Sequence, residues 1–311
     1  MARKTREMVF AQYGIKYDTE SGKIFCDPLQ AWIPLPLVNG NEKIGRGVWH
    51  HSTLAGTGYI SADIIAQALQ DLDIDADAIE IDADGCKGTC ACDCVGCYAK
   101  NGCYQYSSTK AALFIRTYLF RVFPDWTENA IRAQIDACNI KMCRIHASGD
   151  FFSDAHVRAW IRIIQASPDC IFWTYTKTAW KSLQDLDALQ NANIVKSLID
   201  GKLNFGHCGY LMQLYQELKA AGKSVWICKC GLPDLIAKRN GTYIPKKDRT
   251  KAQKKAAMAA ETHCNKCNHC FTAEYVLFLE HGTSYNAVED PDFDAFVKLV
   301  MSQPDDTKAA A

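Results

Sequence analysis

Several things are missing from this sequence. It has no charge bias: 35 Lys and Arg stand against 35 Asp and Glu in 311 residues. Bulk electrostatics therefore selects neither a nucleic acid nor a membrane surface as partner. No apolar run reaches about 18 residues, so no membrane span is expected. The first ten residues, Met1–Phe10, lead into polar sequence without the apolar core of a signal peptide. No internal repeat or low-complexity tract stands out. These absences lead to the expectation of a cytoplasmic protein in a reducing compartment, where structural disulfides are disfavoured.

Cysteine, by contrast, is abundant. There are 16 in the chain. One group lies between Cys86 and Cys103 and another between Cys228 and Cys270, while Cys26, Cys138, Cys143, Cys170 and Cys208 are scattered. A lone free cysteine is usually a small buried hydrophobe, the expectation for Cys138 and Cys170. Dense clusters are different, because packing has no use for so many thiols in one loop and a soft metal does.

Hydrophobic residues make up 48% of the chain, ample for a core. Residues 1–78 carry turn signals and are expected to form an irregular cap with one helix at Ala62–Leu72. Residues 79–230 are the expected β/α core. Strands are expected at Ile79–Ile81, Met142–Ala147, Cys170–Thr176, Ile194–Ile199 and Ser224–Cys228. Helices are expected at Ser108–Val122, after a capping box at Asp125–Glu128, after Ser153, near Trp180–Leu189 and around Leu211–Leu218. Residues 231–311 are the expected C-terminal part, with a strand at Tyr275–Leu279 and a helix at Phe293–Val300. Alternating strands and helices argue for parallel βαβ units, hence an α/β fold. The expected architecture is a full or partial parallel β/α barrel with cysteine-rich metal-binding insertions; a doubly wound open sheet is the alternative. In either fold, functional groups gather beyond the C-terminal ends of the strands.

In the first cluster, Cys90, Cys94 and Cys97 have C-x3-C-x2-C spacing. Three thiolates on a short loop can hold three irons of a [4Fe–4S] cluster and leave the fourth open to S-adenosylmethionine. Cys86, Cys92 and Cys103 offer rival registers. The competing reading is a closed tetrahedral zinc site. In the second cluster, Cys264, Cys267 and Cys270 have C-x2-C-x2-C spacing, with His263 and His269 beside them. Either Cys228 or Cys230 would complete an auxiliary site, iron–sulfur or zinc.

Ser148, Gly149, Asp150, Tyr175 and Lys177 stand at expected strand ends and are candidates for a cofactor pocket. Asp150 and Lys177 are the candidate catalytic pair, since a strand-end lysine can pair a carboxylate or phosphate. His146 is either a core histidine or a pocket group. The basic stretch from Lys238 to Lys255 can meet a phosphate backbone, though such runs are more often solvated helix faces. Asp73, Asp75 and Asp77 mimic a calcium loop, but Ala78 occupies its glycine position and Asp84 its glutamate position.

The C-x3-C-x2-C spacing resembles the signature of radical S-adenosylmethionine enzymes, which use a full or partial β/α barrel. Two features depart from it: Gly96 replaces the usual aromatic before the third cysteine, and Ser148-Gly149-Asp150 only loosely matches the glycine-rich strand end. More of the chain resembles the phage "gene product 88" family. That likeness rests on Asn41-Glu-Lys-Ile-Gly45, Thr89-Cys90, Cys97-Tyr98-Ala99, Arg144-Ile-His-Ala-Ser-Gly-Asp-Phe-Phe-Ser153, Phe172-Trp-Thr-Tyr-Thr-Lys177, Leu203-Asn-Phe-Gly206 and Cys264-x2-Cys267-x2-Cys270-Phe271. It implies a phage or prophage origin, hence the host cytoplasm, and a distant relation to radical S-adenosylmethionine enzymes. Three functions follow as expectations: an iron–sulfur enzyme drawing on an electron donor, a zinc protein contacting nucleic acid, or an iron–sulfur electron carrier.

Overall fold

The computed structural model describes residues 4–40, 44–74, 81–90, 102–199, 202–260, 267, 269–279 and 286–303. By contact the chain divides into two compact units, residues 1–40 with 46–194 and residues 41–45 with 195–311.

The first unit opens with helix α1 (Arg6–Gln12), where the Thr5 hydroxyl caps by accepting from the Met8 amide. An antiparallel pair follows, β1 (Ile24–Cys26) with β2 (Ala31–Ile33). The segment expected to be irregular is therefore structured; Thr5 and buried Phe10 are the signals for its helix. Short strands β3 (Val38–Asn39) and β4 (Trp49–His50) come next, then α2 (Ala62–Asp71). The strand expected at Ile79–Ile81 lies mostly outside the described residues.

Helix α3 (Ser107–Val122) runs into α4 (Pro124–Cys138). The expected capping box does not form. Pro124 takes the first turn and no side chain caps the helix. Glu128 is instead buried, its Oε2 accepting from Arg162 Nη2 at 2.7 Å and Nε at 2.9 Å. Strand β5 (Met142–Ile145) follows, then α5 (Asp154–Gln165), β6 (Ile171–Thr176), the short α6 (Leu183–Asp187) and β7 (Ala192–Lys196). Ser153 caps α5 as expected, accepting from the His156 amide at 3.0 Å.

The main sheet has the order β3-β4-β5-β6-β7. β3 is antiparallel to β4, while β4, β5 and β6 run parallel. Alternation on β5 sorts the two faces. Cys143 and Ile145 join Phe172, Ile131, Ile135, Val157, Trp160 and Ile164 in one core. Register places His50, Arg144 and Trp173 in a row on the other face. A second core joins α1, α2, α3 and the β1–β2 pair.

The unit boundary falls inside β7, between Ile194 and Val195. In the second unit a small hairpin, β8 (Leu198–Ile199) with β9 (Lys202–Leu203), precedes β10 (Phe205–Gly206) and α7 (Cys208–Ala220). β11 (Val225–Ile227), α8 (Leu232–Arg239), α9 (Lys251–Ala260), β12 (Tyr275–Leu279) and α10 (Phe293–Ser302) complete it. Its sheet is parallel throughout, in the order β10-β12-β11. α7 and α10 supply Leu211, Leu214, Phe293, Phe296 and Val300 to its core. The fold is thus mixed α/β with parallel sheets, as the alternating pattern predicts. The expected barrel is not identified: the strand pairings among the described residues form open sheets.

Candidate functional site

Three segments meet beyond the carboxyl ends of β4, β5 and β6. The loop after β4 is held to the loop after β5 by the Thr53 amide donating to the Ser148 carbonyl at 2.9 Å and the Ser148 hydroxyl donating to the Thr53 carbonyl at 3.0 Å. Ser148 is buried, so its hydroxyl ties two loops together. Gly149 has φ +82°, and a Cβ there would press on Thr53 Oγ1 and stand 2.5 Å from Thr89 Oγ1. Only glycine fits so tight a crossing without strain.

Thr89 is the residue that fastens the first cysteine segment to this place. Its hydroxyl lies 3.0 Å from Thr53 Oγ1, donates to the Leu54 carbonyl at 2.9 Å and accepts from the Asp150 amide at 3.1 Å. The Thr89 amide bonds the Leu54 carbonyl, and the Cys90 amide the Gly56 carbonyl, at 2.9 and 3.0 Å. Arg121 donates to the Gly88 carbonyl at 2.9 Å and lies over the Phe152 ring. Cys90, half-buried, therefore stands where the fold class puts its functional groups.

Asp150 is the buried carboxylate of this junction. Oδ1 accepts from the Phe151 amide and the Thr176 hydroxyl, both at 2.7 Å, and Oδ2 accepts from the Lys177 amide at 3.0 Å. Burial pushes its carboxyl above the ordinary carboxylate range, against those hydrogen bonds and the Lys177 charge, which pull the other way. A carboxyl raised by desolvation is a recurrent mark of functional sites. Lys177 and Tyr175 are both half-buried, and the Arg144 guanidinium stacks 4.8 Å from the Tyr175 ring.

Of the first cluster's proposed ligands, Cys90 is described; Cys94 and Cys97, like Cys92, lie outside the described residues. Cys86 is buried in the N-terminal core and its thiol donates to the Asp82 carbonyl at 3.4 Å. Burial pushes that thiol up, which makes it a core residue. Cys103 is described in its backbone alone.

The second cluster is partly described. Cys228 follows β11, its amide bonded to the Leu277 carbonyl at 2.8 Å, and the Cys230 amide donates to Cys228 Sγ at 3.5 Å. An N–H directed at sulfur favours the thiolate, the form that binds metal. Cys267 and Cys270 stand after α9, while Cys264 lies outside the described residues. His269 stacks on Trp226 with ring centres 3.5 Å apart, and Lys229 Nζ lies 5.0 Å from the Trp226 ring centre. Among the described residues alone, no three His, Cys, Asp or Glu side chains are arranged to hold a metal ion. The donor set, soft thiols in two cysteine-rich segments, suits iron–sulfur or zinc chemistry.

The scattered thiols belong to the packing. Burial pushes Cys26 and Cys170 up to about 12 and Cys143 well above the ordinary thiol range. Cys138 packs at the edge of the main core.

A group of histidines escapes sequence reasoning. His51, His146 and His156 are all buried, with ring centres 6.3 Å apart for the first pair and 5.3 Å for the second. Phe120, Phe151, Phe152 and Trp160 pack around them. Trp160 Nε1 donates to His156 Nε2 at 3.1 Å, while both ring nitrogens of His51 and of His146 and Nδ1 of His156 have no hydrogen-bond partner among the described residues. His146 adopts φ +56°, a backbone state uncommon for a non-glycine residue. Burial holds His146 down to about 3 and the other two well below the ordinary imidazole value. The three lie 95, 10 and 105 positions apart in sequence, so no local pattern marks them.

Comparison with known proteins places the chain among phage proteins. It is 35% identical over 79 residues to the Gene 88 protein of Mycobacterium phage L5, covering 22% of this chain and 33% of that protein. It is 51% identical over 37 residues to the Gene 88 protein of Mycobacterium phage D29, covering 12% of this chain and 15% of that protein. The matched segment thus spans about a third or less of either relative. No solved structure matches the chain. The family description "Gene product 88" matches residues 36–273, from β3 through the second cysteine cluster, and the chain belongs to that phage family.

Proposed function

We propose that this protein is an iron–sulfur enzyme whose Cys90, Cys94 and Cys97 hold a [4Fe–4S] cluster at the ends of the parallel strands, in the manner of radical S-adenosylmethionine enzymes. The observation that carries this reading is the Thr89–Asp150 junction, which holds the cysteine segment beside a buried carboxylate raised by desolvation. An open-iron cluster with bound S-adenosylmethionine would supply one-electron cleavage chemistry, driven by an external electron donor. The chain's own residues would bind and orient. Asp150 keeps the β5 and β6 loops in register through its three acceptor contacts and holds or releases a proton at its carboxyl. Gly149 lets the backbone approach. Lys177 and Tyr175 offer a cation and a ring to the ligand. Cys264, Cys267, Cys270 and Cys228 or Cys230 would form the auxiliary site.

Anaerobic purification followed by metal and acid-labile sulfide analysis tests this. Iron with sulfide, and an electron paramagnetic resonance signal that changes on adding S-adenosylmethionine, is the expected result. A colourless protein with stoichiometric zinc ends the enzyme reading.

A second reading, closed zinc sites with a nucleic-acid contact, draws on the surface of the second unit. Arg239 and Arg249 are engaged by Asp294 and Asp234 at 3.1 and 2.7 Å. Lys247, Lys251, Lys254 and Lys255 are exposed, the last three spaced along one face of α9. Under this reading, DNA or RNA binding weakens with salt and the slope shrinks by about 0.7–0.9 per lysine changed to glutamine.

A further inference from the structure

The segment that leads to Cys90 is held along one edge by the chain that follows β4. The Ile60 amide bonds the Cys86 carbonyl at 2.8 Å, the Gly88 amide the Gly58 carbonyl at 2.9 Å and the Cys90 amide the Gly56 carbonyl at 3.0 Å. Tyr59 and Lys87 form an antiparallel bridge within this ribbon. A Cβ at Gly88 would press on the Gly56 carbonyl, so the two backbones lie too close for a side chain there. The Gly88 carbonyl is taken by a different element: it accepts from Arg121 Nη2 at 2.9 Å.

Arg121 stands half-buried in the last turn of α3. Its guanidinium carbon lies 4.0 Å from the centre of the Phe152 ring. Phe152 in turn stacks on buried His156, with ring centres 4.1 Å apart and planes at 23°. A carbonyl therefore fixes the edge of the guanidinium, and a ring backed by the start of α5 fixes its face. Contacts to an edge and to a face together define a plane; a lysine ammonium supplies the charge without the plane. A cation at a helix C-terminus is favourable even in solvent. This one instead turns inward and joins three segments: α3, the cysteine segment and the loop after β5. Gly88 and Cys90 are two residues apart, which keeps their Cα atoms within about 7 Å of each other. A thiolate-ligated cluster is a negative group and more negative once reduced, so a fixed cation beside it favours reduction.

We propose that Arg121 is a positioning residue for the first cysteine site. It sets the place of the segment through the Gly88 carbonyl, and its charge draws the reduction potential of the cluster upward. The charge role rests on the reading of Cys90 as a cluster ligand; the clamp does not.

Arg121→Gln and Arg121→Lys in the full chain test both roles. In the metal-free chain, hydrogen–deuterium exchange read by mass spectrometry should quicken at least about tenfold over residues 86–90 in Arg121→Gln, the factor that loss of one charge-assisted hydrogen bond gives. The β1–β2 pair should keep its protection, and Arg121→Lys should not restore residues 86–90, because the plane is missing. In protein loaded anaerobically with iron and sulfide, a potentiometric titration followed by electron paramagnetic resonance reads the charge. Arg121→Gln should lower the reduced-to-oxidised ratio at a fixed potential at least about threefold, since unit charges roughly 10 Å apart still couple inside a protein; Arg121→Lys should restore that ratio. Unchanged exchange over residues 86–90 in Arg121→Gln overturns the proposal, and so does a loaded cluster whose potential does not move. Should Arg121→Gln fail to fold, Phe152→Leu removes the ring beneath the guanidinium, and unchanged exchange there overturns the clamp equally. A chain that takes up no iron and sulfide removes the cluster reading and the charge role with it; the exchange result then decides the clamp by itself.

Discussion

Replacing Gly149 with alanine separates the crossing at the site from ordinary glycine strain. At φ +82° an L-residue is left-handed, which costs roughly 1–2 kcal/mol wherever it occurs. Gly14, at φ +71°, has nothing within 4 Å of where its Cβ would sit, so Gly14→Ala reports that cost alone. Gly149→Ala must also displace Thr53 and Thr89. Displacement breaks the Thr53–Thr89 contact at 3.0 Å and the bond from the Asp150 amide to Thr89 at 3.1 Å. Each is worth about 1 kcal/mol net, more if the buried amide is left unsatisfied. The expected total is about 3–5 kcal/mol, a large part of the roughly 5–15 kcal/mol that holds a typical domain together. Urea unfolding followed by circular dichroism measures both variants. Thr89→Val, which keeps the shape and removes the hydroxyl, should cost about 2–3 kcal/mol through its three hydrogen bonds and lower metal content at residue 90 while the protein stays folded. If Gly149→Ala costs no more than Gly14→Ala, the junction does not hold the cysteine segment and the reasoning fails.

Three further outcomes are expected. The buried histidines make the protein acid-sensitive with a definite sign. His50 is held down to about 4 and His146 to about 3 by burial, so below about pH 6.5 the unfolded chain takes up protons that the folded chain refuses. Stability is full above that pH and falls toward the folded values, by up to about 1.4 kcal/mol per pH unit for each histidine. His156→Phe should flatten the slope by about one proton, and an unchanged slope in urea titrations from pH 7 to 4 refutes this assignment. Glu128 ties α4 to α5, so Glu128→Ala and Arg162→Ala should each cost about 1–2 kcal/mol and be non-additive in combination. Asp125→Ala should be near neutral; a large loss there would restore the capping box.

Local signals made much of the fold legible. Ser153, with Val157, Trp160 and Ile164 at helical spacing, places α5 closely, and β6 lies where its near-continuous apolar and aromatic run puts it. The two-residue strands β3 and β4 were not legible, because β4 becomes a strand by pairing to Cys143 and Arg144 across some 90 residues and β3 by pairing to β4. Asp125 and Glu128 have the letters of a capping box, yet Pro124 fits the first turn better and Glu128 finds a stronger partner on another helix. Strand-end logic picks out Ser148, Gly149, Asp150 and Lys177 as candidates, and the structure places them together beyond β5 and β6. Thr53 escaped, and Thr89 entered only through the family likeness, because hydroxyls carry no periodic signal and act only through the residues they meet.

The thiols show how environment, more than residue type, sorts function. Cys26, Cys143 and Cys170 sit where burial makes the thiolate too costly to form near neutral pH, and a thiolate is what metal and oxidant both require. Those residues are therefore inert fillers of the core, whatever their number adds to the composition. Cys90, held beside the β5 loop through Thr89, and Cys228, which follows β11, are both half-exposed. A thiol there is open to water, and at Cys228 the Cys230 amide is directed at the sulfur. The parallel sheets produce that environment, since they bury hydrocarbon along the strands and leave unpaired amides and room at their carboxyl ends. Metal content should thus survive Cys143→Ala and fall with Cys90→Ala. The opposite pattern would mean that the core thiols, and not the strand-end loops, are the reactive ones.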